Sequence, residues 1–473
     1  MRRSILFIAG VTVLLEAFAA VPAAAQPGPA GRWEGILSVP GAELRMVLVV
    51  TPDGPGYKAT MDSPQQGALG LVLRNVQFDG VKAHFELPAG ATVAIFDGTW
   101  QGYSMSGNFE QAGTKGTFEM KRGGAPVVPP TPPPPYKQEE VKYQSGAVTL
   151  ACTLTLPESN GPHPAAVMIT GSGPQDRDER VAGFRIFGVI ADHLTRRGIA
   201  VLRCDDRGVG GSSGSVPQST AADLADDALA GVRFLQARPE IDKTHVGLIG
   251  HSEGGLVAPM LAARTREVAF IVLLAGPGLS GEQIMLAQSA LIVQAEGLPI
   301  EQARRNQEIQ RKMFAAVRTG TGWDEVAMLM RPGIQATIDA LQEAQRKALG
   351  NTEKIIQSAI NDEIAGMRTP SFKFFLDFDP ATALEKIKCP VLAIFGGHDV
   401  QVAAAPNRAA MEKAFAKGGV ENHRIEVFPT ANHLFQDSPT GTATEYPKLK
   451  KEFVPGLLDL LSTWIGDQAG IKR

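Results

Sequence analysis

A chain of 473 residues exceeds one ordinary domain, so two or three are expected. Hydrophobic residues make up 44% and charged residues 20%, close to the soluble globular average, so a sizeable core can form. The net charge of -3 is small for this length and excludes a nucleic-acid surface from the leading readings.

The first residues differ in kind from the rest of the chain. Arg2 and Arg3 precede an apolar run from Ile5 to Leu15, and Ala23, Ala24 and Ala25 then supply small residues. This is the three-part layout of a secretory signal peptide over residues 1–25, which predicts a periplasmic or secreted protein. The apolar run falls short of the ~20 residues a membrane span needs, and Glu16 and Pro22 interrupt it. No stable span is expected after cleavage. The cysteines, Cys152, Cys204 and Cys389, are odd in number and far apart. They are expected as small buried side chains, not as a disulfide framework, and no spacing suits zinc.

Residues 27–122 read as a small antiparallel β domain. Glu43–Val50, Leu71–Phe78, Val81–Leu87 and Gly102–Glu110 are short runs, several alternating polar with apolar. Asp53-Gly54, Asp79-Gly80 and Asp97-Gly98 are expected at tight turns. A proline-rich segment, 123–136, then forms an extended linker.

From 137 to 473 strands alternate with helices, which predicts an α/β fold with a mostly parallel sheet covered on both faces. Expected strands are Ala165–Thr170, Ile199–Arg203, Val246–Ile249, Phe270–Leu274, Val391–Phe395 and Ile425–Phe428. Thr220 is placed to cap a helix through Leu235. Residues 279–383 interrupt the alternation with helical sequence, expected as a cap over a site at the strand ends.

The chemistry centres on THVGLIGHSEGGL, Thr244 to Leu256. Gly250, Ser252 and Gly254 match G-x-S-x-G between a strand and a helix. Such a turn lifts a serine hydroxyl above the sheet, and side chains at the two glycines would crowd the backbone. Serine needs a base, and the base needs an orienting group. Asp399 follows the strand ending at Phe395, and His433 follows the run ending at Phe428, giving the order serine, acid, histidine. His398 is the rival base; Asp377 and Asp379 are the rival acids. His251 should point away from the nucleophile. The oxyanion donors are expected to be the backbone N–H groups of Glu253 and of Ser172, in the loop Gly171–Asp176.

From about residue 140 onward the chain resembles the bacterial α/β-hydrolase carboxylesterases related to the prolyl-oligopeptidase group. The matching segments are GSGPQDRDE at 171–179, LRCDDRGVGGSSG at 202–214, GHSEGG at 250–255, CPVLAIFGGHDVQV at 389–402 and NHLFQ at 432–436. The resemblance implies an α/β-hydrolase fold, the triad Ser252, Asp399 and His433, and cleavage of short-chain carboxylic esters without a cofactor. It also implies that Asp205–Gly208 shapes the loop after a strand. The charged GPQDRDE run is expected to organise the site. The alternatives are a peptidase, aminopeptidase or thioesterase using the same triad, and a non-catalytic binding protein. The expected partner is a small ester; oligomeric state is left open.

Overall fold

The computed structural model describes residues 28–39, 42–54, 56–63, 68–89, 92–111, 113–122, 134–339 and 351–470. The expected signal peptide and most of the proline-rich linker lie outside the described residues. The chain divides into two compact units, Met1–Thr131 with Arg331–Ala359, and Pro132–Met330 with Ile360–Arg473. The described residues 331–339 and 351–359 therefore group with the first unit, although the sequence placed them inside the helical insertion of the catalytic domain.

The first unit contains a nine-stranded antiparallel sheet. Its strands are β1 (Gly31–Val39), β2 (Ala42–Asp53), β3 (Gly56–Ser63), β4 (Ala68–Val72), β5 (Arg74–Asp79), β6 (Lys82–Ala89), β7 (Thr92–Gln101), β8 (Ser104–Gln111) and β9 (Thr114–Arg122). They lie in the order β4-β3-β2-β1-β9-β8-β7-β6-β5. Period-two alternation sets the two faces: Ala94 and Phe96 of β7 are buried, while Val93 and Ile95 are exposed. Gly54 and Gly80 turn the chain with positive φ, as expected at Asp-Gly pairs. Asp97-Gly98 does not turn. It lies within β7, where Gly98 faces Gly107 of β8, and a Cβ on Gly107 would come within 2.4 Å of the Gly98 Cα. The glycine is there for close strand approach in a strongly curled sheet.

The second unit carries an eight-stranded mixed sheet. Its strands are β10 (Tyr136–Ser145), β11 (Val148–Pro157), β12 (His163–Ile169), β15 (Ala200–Cys204), β16 (Ile241–His251), β17 (Ile271–Leu274), β18 (Val391–Gly396) and β19 (His423–Phe428); β13 (Arg180–Val181) and β14 (Phe184–Arg185) form a small ribbon. The order is β10-β11-β15-β12-β16-β17-β18-β19, with β11 antiparallel to both β10 and β15 and every other pair parallel. His163 begins β12 and His245 lies within β16.

The helices are α1 (Ile186–Arg196), α2 (Ala221–Gln236), α3 (Gly254–Ala262), α4 (Gly281–Ala295), α5 (Ile300–Thr319), α6 (Trp323–Asp339), α7 (Thr352–Met367), α8 (Pro370–Asp377), α9 (Ala381–Leu384), α10 (Ala404–Gly418) and α11 (Leu457–Gln468). Thr220 caps α2 in a reciprocal box with Asp223. Every residue of α3 is buried, as suits a helix pressed against the sheet centre. Between β17 and β18 the described elements are all helices, and Phe314, Leu376, Val326 and Met367 pack there as a separate small core. Among the described residues no helix is long and apolar enough to cross a membrane.

The cysteine expectation needs correction. Cys152 and Cys204 face each other across β11 and β15 and are joined by a disulfide. They are 52 residues apart in sequence. Only the antiparallel pairing of these strands brings them together. Cys389 is free and half-buried, and burial pushes its thiol up to about 11.

Candidate active site

β16 ends at His251 and α3 begins at Gly254, so the chain reverses over Ser252. Ser252 has φ +52, in the left-handed region that L residues rarely occupy. The flanking glycines are steric necessities. A Cβ on Gly250 would lie 2.1 Å from the Gly254 carbonyl, and one on Gly254 would lie 2.1 Å from the Ile169 carbonyl. The Ser252 N–H donates to the Leu274 carbonyl at 2.9 Å, which ties the turn to the next strand.

Two strands along, the loop after β18 presents Asp399. Its Oδ1 accepts the N–H groups of Gln401 (2.7 Å) and Val402 (2.9 Å), and its Oδ2 accepts from His433 Nδ1 at 2.8 Å. The Asn432 side-chain oxygen accepts the N–H groups of Leu434 and Gln436, both at 2.9 Å, which folds the tight loop carrying His433. A proton on Nδ1 leaves Nε2 of the neutral ring as the basic nitrogen. The structure thus brings Asp399 and His433 into direct contact. Among the described residues, no hydrogen bond joins the Ser252 hydroxyl to the His433 ring; such bonds commonly tighten only in the reacting complex. The ring of His251, next to Ser252, has its centroid 4.9 Å from that of His433.

The rivals are occupied elsewhere. His398 Nδ1 donates to the Ser438 carbonyl at 2.6 Å. Asp377 pairs with Arg318 at 2.7 Å, and Asp379 accepts the Ala381 N–H at the start of α9. The N–H groups of Ser172 and Glu253 make no hydrogen bond among the described residues, as free oxyanion donors require.

Sequence reasoning missed the group beneath the turn. Glu179 and His251 are both buried, and Glu179 Oε1 accepts from His251 Nδ1 at 2.8 Å and from the Gly171 N–H at 2.7 Å. His251 Nε2 donates to the His433 carbonyl at 3.0 Å. With a carboxylate at Glu179 and the His433 carbonyl as acceptors, the ring satisfies both as imidazolium. Burial pulls the ring's pKa down, but Glu179 and the His433 carbonyl more than reverse this, and the net direction is up. Both ring nitrogens of His251 are thus engaged, one by Glu179 and one by the His433 carbonyl.

Arg177 and Asp178 of the charged run also face inward. Arg177 grips Asp205 through Nε at 3.0 Å and Nη2 at 2.7 Å. Asp178 pairs with Arg203 and, at 2.7 Å, with Arg185. Asp206 accepts from the Thr170 hydroxyl at 2.6 Å and the Gln175 N–H at 2.8 Å. Burial pushes the Asp206 carboxyl up to about 7 against those two bonds, with Glu179 and Glu253 adding to the rise. Burial also raises the Glu253 carboxyl. The available signal was the reciprocal charge pattern of 176–179, in the loop after β12, and 203–207, at the end of β15. Among the described residues no group of three or more His, Cys, Asp or Glu is placed to hold a metal ion.

A strained strand-turn-helix at the centre of a mixed, mostly parallel sheet, with acid and histidine on later strand-end loops, defines an α/β-fold hydrolase. The sequence model of the family described as serine aminopeptidase, S33, matches residues 184–438. The chain belongs to that family and is a hydrolase. Esterase EstD of Thermotoga maritima is 27% identical over 316 residues, covering 66% of this chain and 64% of the esterase. The chain thus aligns with less than two thirds of that relative's length. An uncharacterised 31.7 kDa protein of Escherichia coli is 24% identical over 256 residues, covering 53% of this chain and 77% of its own. Among solved structures, the Pyrococcus furiosus esterase Pf2001 is similar with a TM-score of 0.43 and 15% identity, over 71% of this chain and 91% of that one. The resemblance drawn from the sequence motifs is borne out by the family and the Thermotoga relative.

Proposed function

We propose that this hydrolase cleaves carboxylic esters, with short acyl chains preferred, through an acyl-enzyme on Ser252. The observation that carries the reading is the strained turn at Ser252 together with the buried Asp399–His433 pair. His433 Nε2 takes the Ser252 proton as Oγ bonds to the ester carbonyl carbon. The N–H groups of Ser172 and Glu253 receive the developing oxyanion. His433 then protonates the leaving alkoxide, and the alcohol departs. Water repeats the sequence on the acyl-enzyme, releasing the acid and restoring the serine. Asp399 holds the Nδ1 proton in place and stabilises the imidazolium. The name of the Thermotoga relative supports ester as the substrate class.

The family description also supports a second reading, aminopeptidase activity. That activity needs a carboxylate to hold the substrate ammonium. Glu253 adjoins the nucleophile, but its burial favours the neutral carboxyl. The two readings separate on p-nitrophenyl acetate and butyrate against aminoacyl p-nitroanilides, with wild type and Ser252→Ala. Ester turnover that vanishes in Ser252→Ala is expected; faster anilide turnover would reverse the assignment.

The helices between β17 and β18 are read as a cap. Asn407 Oδ1 accepts the N–H groups of Gly278 and Leu279, and Gln288 donates to the Gln401 carbonyl at 3.1 Å, tying the start of the insertion to the Asp399 loop. Export fits the Cys152–Cys204 disulfide, a bond that persists in oxidising compartments.

A further inference from the structure

We infer that the nine-stranded sheet of the first unit holds a binding site for a single-chain apolar molecule with an uncharged polar end. The sheet curls strongly: its edge strands β4 and β5 are consecutive in the chain, and the Leu73 N–H between them donates to the Ala59 carbonyl of β3 at 3.0 Å. Inward side chains fill only one end. There Trp33, Phe85 and Phe118 are wholly buried; Phe96 stacks on Phe85 at 4.9 Å and meets Phe118 at 5.7 Å, forming a floor.

Above that floor lies a cavity of ≈ 320 Å³ walled by Leu37, Leu44, Met46, Met61, Phe96 and Phe109. Well-packed interiors keep few voids larger than a water, whose share of liquid volume is roughly 30 Å³, so this is not a packing defect. It falls at the lower end of the roughly 300–1,000 Å³ of small-molecule pockets, and small barrels hold single ligands in this way. The lining carries no charged side chain among the described residues. Its polar members are Ser63, Gln111 and Thr114, which stand at the ends of β3 and β8 and the start of β9. An apolar chain would lie against the leucine and methionine wall, the flexible methionines adapting to it. Its polar end would meet the amide and hydroxyls at the mouth. A medium-chain alcohol or neutral monoacyl ester has this form. Binding there does not depend on the Ser252 chemistry.

The test uses the full chain and the fluorescent apolar probe N-phenyl-1-naphthylamine, with 1-decanol as competitor. Wild type should enhance the probe's fluorescence, and decanol should reverse the gain. Ala94→Phe fills the cavity, and Leu44→Gln places an amide in its half-buried wall; each should raise the probe's dissociation constant at least tenfold. Thermal melting and p-nitrophenyl butyrate turnover report whether each variant is folded. Should Ala94→Phe fail to fold, the milder Leu44→Gln decides. Absence of enhancement in wild type, failure of decanol to compete, or wild-type probe affinity in a folded variant would overturn the assignment.

Discussion

Replacing Glu179 by Gln changes one atom type under the active site and should disturb two loops at once. In the wild type, Glu179 Oε1 accepts from both Gly171 and His251, while His251 Nε2 bonds the His433 carbonyl. The glutamine amide removes the negative charge that holds the imidazolium. A neutral ring has one N–H: if the amide oxygen keeps the bonds from Gly171 and Nδ1, the Nε2 lone pair faces the His433 carbonyl, and if the amide turns its NH2 to Nδ1, the Gly171 N–H is left facing a donor. A buried hydrogen bond to a charged group contributes about 1.5–3 kcal/mol, and removing one partner of a buried ion pair costs about 3–5 kcal/mol of stability. Gly171 sits against Ser252: a Cβ on it would lie 3.2 Å from Ser252 Cβ. Its displacement carries the neighbouring Ser172 N–H with it. If the lost bond is felt in the transition state, kcat/KM falls roughly 10- to 150-fold.

The assay is steady-state hydrolysis of p-nitrophenyl butyrate by wild type, Glu179→Gln, His251→Phe and the double variant, with melting curves for each. The loss should fall on kcat more than on KM, because donors and base act on the transition state. The double variant should lose less than the sum of the singles, with a coupling of at least about 1 kcal/mol. A pH signature accompanies it. The folded His251 pKa is raised, so its contribution to stability is complete below the unfolded value near 6.5 and is lost as pH rises through the folded value. Glu179→Gln should abolish that alkaline limb. Wild-type kcat/KM in a folded Glu179→Gln protein, or strict additivity in the cycle, would refute the coupling.

Asp399→Asn should keep the fold and lower kcat for the ester by on the order of 10⁴, because the ring loses its correct tautomer; a change below tenfold would remove Asp399 from the proposed triad. Changing Cys152 and Cys204 together to Ser should destabilise the second unit by about 4 kcal/mol, from a separation of 52 residues. Calorimetry should show its melting temperature lowered by on the order of 10 °C. Asp206 titrates near 7 when folded against an ordinary 3.8, so between those values the folded chain holds a proton that the unfolded chain has released. Stability therefore falls as pH rises through that window, by up to about 1.4 kcal/mol per unit, and Asp206→Asn should remove that slope from melting curves taken between pH 5 and 7.

The parts of the fold legible in the sequence are those written locally. Gly250 and Gly254 announce the turn because each is excluded from bearing a side chain by atoms within the same few residues or the adjoining strand. The Thr220–Asp223 capping box and the buried apolar runs of β12, β17 and β18 are equally local. What stayed hidden depends on which strands become neighbours. Cys152 meets Cys204 only because β11 runs antiparallel to β15. Asp97-Gly98 has turn composition, yet its backbone is claimed on both sides by β6 and β8. Leu71–Phe78, expected as one strand, is split at Leu73 into β4 and β5. Asp399 and His433 were legible by chain order, whereas the Glu179–His251 pair had no periodicity or motif to mark it.

Ionic residues fill the 176–179 segment because of the chain around them. Residues 171–180 contain no large apolar side chain, so the hydrophobic effect cannot dock this loop. Its position must be set by directional bonds, and each charge has its own: Arg177 to Asp205, Asp178 to Arg203 and Arg185, Glu179 to His251 and Gly171. Buried ion pairs contribute little net stability compared with apolar packing, but they fix geometry because each partner is costly to misplace. An apolar anchor would also have to occupy space beside Ser252, where the proposed substrate carbonyl must fit. Holding the loop by charge leaves that space free and fixes the position of Ser172, whose N–H is the proposed oxyanion donor.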